Sequence, residues 1–220
     1  MLQKFIDYLN EMLVLGCIYV LGALGQTGDQ ITESWIKMRE HYIASDYNRA
    51  IAFWRKQLTA GFAKLCAFDC NGLGNKFILD NKLWPKRLNA NGMKGKCVRL
   101  TRQQLKKGDW VFRVTLGHAH HIGYVVDDSL NVIECFGRDK GVIKRHVDAQ
   151  AGYWNYYGRP LVFKAEIEAS PVPVPAPAPI PAPAPLPDTY AVKKGDTLGG
   201  IARKFKTTIV FPWPHTSTST

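Results

Sequence analysis

The stretch from Pro171 to Pro187 alternates proline with small or branched apolar residues and holds nine of the chain's 13 prolines. Proline lacks a backbone N–H and fixes its own φ angle, so such a stretch joins neither a helix nor a sheet. It predicts an extended polyproline II spacer, roughly 50 Å long at about 3.1 Å per residue. The sequence therefore divides into a domain over residues 1–168, a linker over 169–188 and a short module over 189–220.

The first domain has helical periodicity in its first half and β-rich runs in its second half. Apolar residues recur at helical spacing in residues 2–15, 32–42 and 46–58, and a fourth helix is expected to start at Cys70. β-Branched and aromatic residues fill the later runs 110–114, 120–126, 131–135 and 161–163. Helices first and an antiparallel sheet afterwards predict an α+β domain, with the N-terminal helices packed on the sheet.

Three details of the predicted helices depend on single residues. Asp29 or Thr32 is expected to cap the second helix, and Ser45 the third. The second helix is expected to turn Ile31, Trp35 and Met38 towards the core. A short extended piece or loop is expected over residues 18–23.

The charge balance points to an anionic partner. The formal net charge is +11 and the sequence pI is about 9.5, which suits nucleic acid, an anionic membrane or an anionic cell-wall polymer. Basic residues concentrate in segment 76–107, which is either a solvated face or an anion-binding surface. The chain contains no nucleic-acid-binding motif, so nucleic acid is not expected as a partner.

Neither the cysteines nor the N-terminal region indicates export. The five cysteines are irregularly spaced and do not resemble a disulfide framework, which favours synthesis in a reducing compartment. The apolar run Met12–Leu24 lacks a positively charged region before it. It is also shorter than the roughly 20 residues that a membrane span needs. The sequence predicts a chain made in the cytoplasm without a signal peptide or transmembrane segment.

A catalytic cysteine is one interpretation of Cys70. A thiol in the first turn of a helix lies beside free N–H groups and the positive end of the helix dipole, which favour the thiolate. The alternative is a buried, inert cysteine that packs as a small hydrophobic residue. A thiolate nucleophile also needs a base and a group that orients the base.

Histidines at the start of a predicted strand supply candidate bases. Adjacent strand residues face opposite sides, so only one of His120 and His121 can face Cys70. Glu134, on the next predicted strand, is placed to accept the Nδ1–H of the histidine and fix its tautomer. A zinc site using Cys66, Cys70 and the histidines is disfavoured, because the chain has no Cys-x-x-Cys pair and the histidine spacing is unusual. We expect no metal ion or other cofactor.

Four segments together resemble the NlpC/P60 cell-wall cysteine peptidases. Asp69-Cys70-Asn71-Gly72-Leu73 is similar to their Asp-Cys-Ser-Gly-Leu nucleophile motif. Residues 108–112 and 121–124 resemble their strand-opening Gly-Asp-Leu-Val-Phe and their histidine strand. Residues 18–23 resemble their Tyr-x-Trp-Gly-Gly segment. The order and spacing agree over most of residues 1–168, with asparagine at 71 in place of serine and leucine at 21 in place of tryptophan.

The resemblance implies a papain-like fold and assigns roles to individual residues. It implies Cys70 as nucleophile, His121 as base and Glu134 as the orienting group. It also implies that substrate contacts Tyr19, Asp69 and His120. The activity it implies is hydrolysis of an amide bond in the peptidoglycan stem peptide, with the D-glutamyl bond to the diamino acid favoured.

The segment from Tyr190 to Phe205 resembles the first half of a LysM module, which binds N-acetylglucosamine-containing glycans. It predicts a strand, a turn and a helix, with glycan contacts from Gly195, Asp196, Thr197 and Leu198. The remaining tail has no second helix or strand, so a truncated module is expected.

The sequence therefore predicts a monomeric peptidoglycan hydrolase whose basic segment also contacts anionic wall polymers. A phage or prophage endolysin released through a holin fits the expected absence of a signal peptide. The alternatives are an N-acetylmuramoyl-L-alanine amidase with the same machinery, an acyltransferase using the same thiolate, and a non-catalytic wall-binding protein.

Overall fold

The computed structural model describes residues 1–169 and 190–206 of the chain. The chain divides into two compact units, Met1–Pro173 and Val174–Thr220. Most of the expected polyproline linker and the tail after residue 206 lie outside the described residues, so those expectations stay predictions. None of the described helices is both long and apolar enough to cross a lipid bilayer.

The first unit combines helices with two sheets. Its helices are α1 (Leu2–Val14), α2 (Glu33–Arg39), α3 (Ala44–Thr59), α4 (Gly72–Asp80), α5 (Ala90–Lys94) and α6 (Lys164–Ala169). Its strands are β1 (Ile18–Tyr19), β2 (Leu24–Thr27), β3 (Cys66–Phe68), β4 (Cys97–Leu100), β5 (Trp110–Thr115), β6 (His118–Val125), β7 (Asn131–Gly137), β8 (Gly141–His146) and β9 (Tyr156–Pro160). The predicted α+β class is confirmed.

The larger sheet is antiparallel, with strand order β4-β9-β5-β6-β7-β8. The smaller sheet has the order β1-β3-β2, with β1 and β3 parallel. Helix α1 covers the larger sheet, because its apolar residues recur every three or four positions and share one buried face. Phe5 on that face contacts the rings of Phe77, Tyr124 and Phe163 at 5.1–5.3 Å between centroids.

A glycine allows α4 to approach β6 closely. A Cβ on Gly74 would lie 2.4 Å from the hydroxyl oxygen of Tyr124 on β6. The Gly74 N–H instead donates to that hydroxyl at 3.2 Å. This contact holds the start of α4, and therefore Cys70, against the middle of β6.

The second and third helices differ in part from their predictions. Thr32 caps α2, accepting from the Trp35 N–H at 3.1 Å, as one of the two expected caps. The helix ends at Arg39, and Met38 is 58% exposed whereas Ile36 is buried. Ile31 is buried in the core as predicted, at 4% exposure, although it precedes the helix in extended conformation. Helix α3 begins before Ser45 and has no side-chain cap.

The predicted strand over 161–163 is wrong. Pro160 ends β9, and the three residues form the turn that leads into α6. Strands β4, β8 and β9 were not predicted. Charged and polar residues interrupt them, for example Arg99 in β4 and Lys144 in β8, so their apolar alternation is weak.

We expect Gly141→Ala to destabilise the first unit by about 2–4 kcal/mol. Gly141 has a φ of +59°, and an added Cβ would lie 2.1 Å from the backbone oxygen of Cys17. Gly152→Ala is the matched control, because it has a φ of +67° and nothing within 4 Å of the added Cβ. Urea unfolding of both variants checks this, and equal destabilisation would show that the contact with Cys17 is unimportant.

The described part of the second unit, residues 190–206, contains helix α7 (Leu198–Lys204). Asp196 accepts hydrogen bonds from the Lys193 N–H at 2.8 Å and the Tyr190 hydroxyl at 3.1 Å. The rings of Tyr190 and Phe205 meet at 5.3 Å. The strand expected at the start of this segment does not form within the described residues.

Candidate active site

The predicted nucleophile lies in the turn that leads into α4. Asp69 Oδ1 accepts from the Gly72 N–H at 2.6 Å, and the Asp69 carbonyl accepts from the Leu73 N–H at 3.3 Å. Asp69 therefore acts as an N-cap, and its bonds extend the helical turn back to Cys70. The local sequence folds this way because Asp69 directly follows the apolar strand β3 and lies three residues before Gly72, whose N–H donates to it.

The Cys70 thiol fills a gap in the larger sheet. Pairing between β6 and β7 is confined to Tyr124–Ile133 and Val125–Val132, so the first half of β6 has free backbone groups on that side. Cys70 Sγ lies 3.8 Å from the His120 carbonyl oxygen, and the Ile122 backbone acts to lower the pKa of the thiol. The thiol is 7% exposed and lies on the backbone on either side of His121.

His121 forms a buried pair with Glu134. The His121 Nε2 and Glu134 Oε2 atoms are 2.6 Å apart, and the two residues are 8% and 0% exposed. The expected bond from Nδ1 is therefore a bond from Nε2. This exchange leaves Nδ1 as the ring nitrogen that is not bonded to the carboxylate. It agrees with a base whose tautomer is fixed by a carboxylate.

Three further residues hold this pair in place, and sequence reasoning missed them. The Trp154 ring stacks on His121 at 5.6 Å and 11°. Arg145 Nε donates to Glu134 Oε1 at 2.6 Å, and the Tyr153 hydroxyl lies 3.4 Å from Oε2. No local pattern marks them, because Arg145 reads as an ordinary polar strand residue and Tyr153-Trp154 lie between strands.

Burial first, and the neighbouring Asp69 charge second, raise the pKa of the Cys70 thiol to about 12, although interactions with Asn71 and the Ile122 backbone act in the opposite direction. The expectation that the helix start lowers this pKa is therefore wrong for the free protein. The dipole is a smaller effect than the desolvation of a nearly buried sulfur. The thiol needs a base to remove its proton during the reaction.

The alkylation rate of Cys70 by iodoacetamide is expected to rise about tenfold per pH unit between about pH 6 and about pH 10. Below its pKa, the thiolate fraction increases tenfold with each unit of pH. Peptide mapping by mass spectrometry separates Cys70 from the other four cysteines, and the urea-unfolded protein is the control. A rate that levels off near neutral pH would indicate a stabilised thiolate and contradict the raised pKa.

Arg87 fixes both neighbours of the nucleophile. Its Nη2 donates to Asp69 Oδ2 at 2.6 Å, and its Nε and Nη2 reach Asn71 Oδ1 at 3.1–3.2 Å. Asp69 Oδ2 also accepts from the Gly22 N–H at 3.0 Å. Asp69 is 5% exposed, and these internal bonds disfavour the substrate contact predicted for it. Asparagine at 71 supplies an oxygen that reaches Arg87.

The other two predicted substrate residues, Tyr19 and His120, have different surroundings. Tyr19 is partly buried, and burial and the charge of Cys70 raise the pKa of its phenol. The His120 ring is exposed and its Nε2 lies 3.0 Å from Thr115 Oγ1. The limited desolvation of this exposed ring, followed by the charge of Arg113, lowers the pKa of His120. The structure brings His121, and not His120, to Glu134.

Comparison with protein-family models finds a match in the C-terminal part of the chain. Residues 190–210 match the family model of the LysM domain. No curated protein matches the chain significantly. This match includes the segment from Tyr190 to Phe205, whose sequence resembles the first half of a LysM module.

Three solved structures with a similar arrangement are distant in sequence. The peptidoglycan hydrolase RipB from Mycobacterium tuberculosis is 15% identical, with a TM-score of 0.46, over 72% of this chain and 65% of that chain. An NlpC/P60 family protein from Bacillus cereus is 22% identical, with a TM-score of 0.37, over 43% and 32%. The P60 domain of antigen MAP1204 from M. avium subspecies paratuberculosis is 13% identical, with a TM-score of 0.44, over 73% and 97%. The chain thus spans about two thirds of the RipB structure's length.

In the LysM segment, the predicted glycan contacts lie in the turn before α7. Thr197 caps the helix by accepting from the Gly200 N–H at 3.2 Å. Gly195 has a φ of +102°, as the turn requires. Leu198 is 62% exposed. The carboxylate of Asp196 is used within the turn, so glycan contact through these four residues stays a prediction.

Within residues 1–169 and 190–206, no three histidine, cysteine, aspartate or glutamate side chains come together as a metal site would require.

Proposed function

We propose that the chain is a peptidoglycan hydrolase that cleaves an amide bond of the stem peptide through a thioester on Cys70. The observation that carries the proposal is the buried pair of His121 on β6 and Glu134 on β7, bonded at 2.6 Å, together with the contact of the Cys70 thiol with the β6 backbone at His120. A thiol, an imidazole and a carboxylate in this order are the components of nucleophilic acyl transfer. The LysM match at residues 190–210 supports a cell-wall substrate.

The proposed reaction has two steps. The His121 Nδ1 takes the thiol proton while Cys70 Sγ attacks the carbonyl carbon, and the same proton passes to the leaving amine as the C–N bond breaks. Water then attacks the thioester, with His121 accepting its proton, and the released thiol completes the cycle. The backbone N–H of Cys70 would stabilise the oxyanion.

The finer assignments follow from the resemblance. The favoured bond joins D-glutamate to the diamino acid, and the amide between muramic acid and L-alanine is the second candidate. The basic segment 76–107 would hold the enzyme on anionic wall polymer, and Gly195–Leu198 would contact the glycan. A phage or prophage endolysin, released through a holin, is the biological role that we propose.

Digestion of purified muropeptides, followed by mass spectrometry, tests the function. We expect products that end at D-glutamate, with new amino groups on the diamino acid. Free L-alanine amino groups would instead identify the amidase. Binding to insoluble peptidoglycan without any cleavage would favour the non-catalytic alternative, and lysis of host cells only with a co-expressed holin would support the endolysin role.

A further inference from the structure

A small pocket lies beside the nucleophile turn. Its volume is about 360 Å³, and it is lined by Leu21, Gly22, Met38, Arg39, His41 and Tyr42. Met38 and Tyr42 are large apolar side chains with 58% and 76% exposure. The pocket therefore combines apolar walls with one guanidinium group.

Arg39 has no carboxylate partner within the described residues. The acidic side chains near it are each paired with another cation: Glu33 with Lys37 and Arg55, Glu40 with Arg138, and Asp46 with Arg49 and Arg138. The Arg39 guanidinium rests on the Trp35 ring at 5.7 Å. Its Nε is buried and makes no hydrogen bond. A partly buried arginine without a counter-ion is an attractive position for an anion.

Gly22 connects this arginine to the nucleophile turn. On one side, a Cβ at Gly22 would lie 3.1 Å from Arg39 Nη1. On the other side, the Gly22 N–H donates to Asp69, and the Gly22 carbonyl accepts from Arg87 Nη1 at 2.8 Å. Asp69 immediately precedes Cys70, so the pocket is separated from the nucleophile turn by one residue of the β1–β2 connection.

We propose that this pocket binds a free carboxylate of the substrate residue that donates the scissile carbonyl, with Arg39 donating hydrogen bonds to it. The inference rests on the proposed function. A glutamyl residue linked through its γ-carboxyl keeps its α-carboxylate free, only a few bonds from the scissile amide. Leu21, Met38 and Tyr42 contact the methylene groups of such a residue. The pocket therefore selects an acidic residue over its amidated form.

Two synthetic stem peptides that differ only in this group test the proposal, one with the α-carboxylate and one with the carboxamide. The wild type is expected to cleave the acid with a kcat/KM about 10–100-fold higher, as for a hydrogen bond to a charged group. Arg39→Met is expected to remove this preference by raising KM for the acid, with kcat unchanged. Arg55→Met, which removes an exposed arginine outside the pocket, is expected to keep the preference.

Calorimetric binding of both peptides to the full-length Cys70→Ala variant separates this inference from the proposed function. Tighter binding of the acid that disappears in Cys70→Ala/Arg39→Met would support the pocket even if neither peptide is cleaved. Equal binding of acid and amide, or a preference that survives Arg39→Met, would overturn the inference even if cleavage occurs.

Discussion

Glu134→Gln is expected to lower kcat for amide cleavage by about two to four orders of magnitude, with little change in KM. Glu134 is fully buried and accepts from both His121 Nε2 and Arg145 Nε at 2.6 Å. A glutamine can turn its oxygen to Arg145 only by presenting its NH₂ group to His121. The histidine then carries its proton on Nδ1 and cannot accept the proton of the Cys70 thiol.

Steady-state kinetics with a stem peptide measures this effect, and circular dichroism with urea unfolding shows how much structure the variant keeps. Glu168→Gln is the matched control, because Glu168 is 47% exposed and lies on the last helix of the unit. A loss of less than tenfold for Glu134→Gln would contradict the assignment of Glu134 as the orienting group.

Cys70→Ala is expected to abolish hydrolysis, because no thioester can form without the sulfur. The fold is expected to persist, since the change removes one buried atom and leaves the bonds of Asp69 and Asn71 intact. Cys66→Ala is the matched control. Cys66 lies four residues earlier, is 9% exposed and is a packing residue of β3, so that variant is expected to stay active.

Full activity in Cys70→Ala would contradict the thiolate mechanism. If that activity were also lost with a chelator and kept with a thiol reagent, a metal mechanism would replace it. Equal losses in both cysteine variants, with a lower urea midpoint in each, would point to packing and not to catalysis.

The parts of the fold that sequence reasoning predicted depend on local patterns. Helix α1 follows from the repeat of Phe5, Ile6 and Leu9, and the cap at Thr32 from its position before Glu33 and Trp35. The position of Cys70 just before a helix also follows from a local pattern. These features need only neighbouring residues, so one sequence contains enough information to predict them.

The features that were missed depend on contacts between distant residues. Arg145 bonds Glu134, and Trp154 stacks on His121, only because β8 and the segment before β9 come together around Glu134. The pKa of Cys70 is another case: the helix position is visible in the sequence, whereas the burial that raises the pKa is a property of the gap between β6 and β7. The choice of Nε2 over Nδ1 as the His121 nitrogen that bonds Glu134 also depends on how β6 and β7 are placed.

The intact mass of the protein, quenched in acid during turnover of a stem peptide, shows whether Cys70 forms a thioester with the substrate. We expect a transient adduct with the mass of the acyl half of the peptide, mapped to the tryptic peptide that contains Cys70 and absent in Cys70→Ala. An adduct on any other residue, or undiminished turnover by Cys70→Ala, would contradict this expectation.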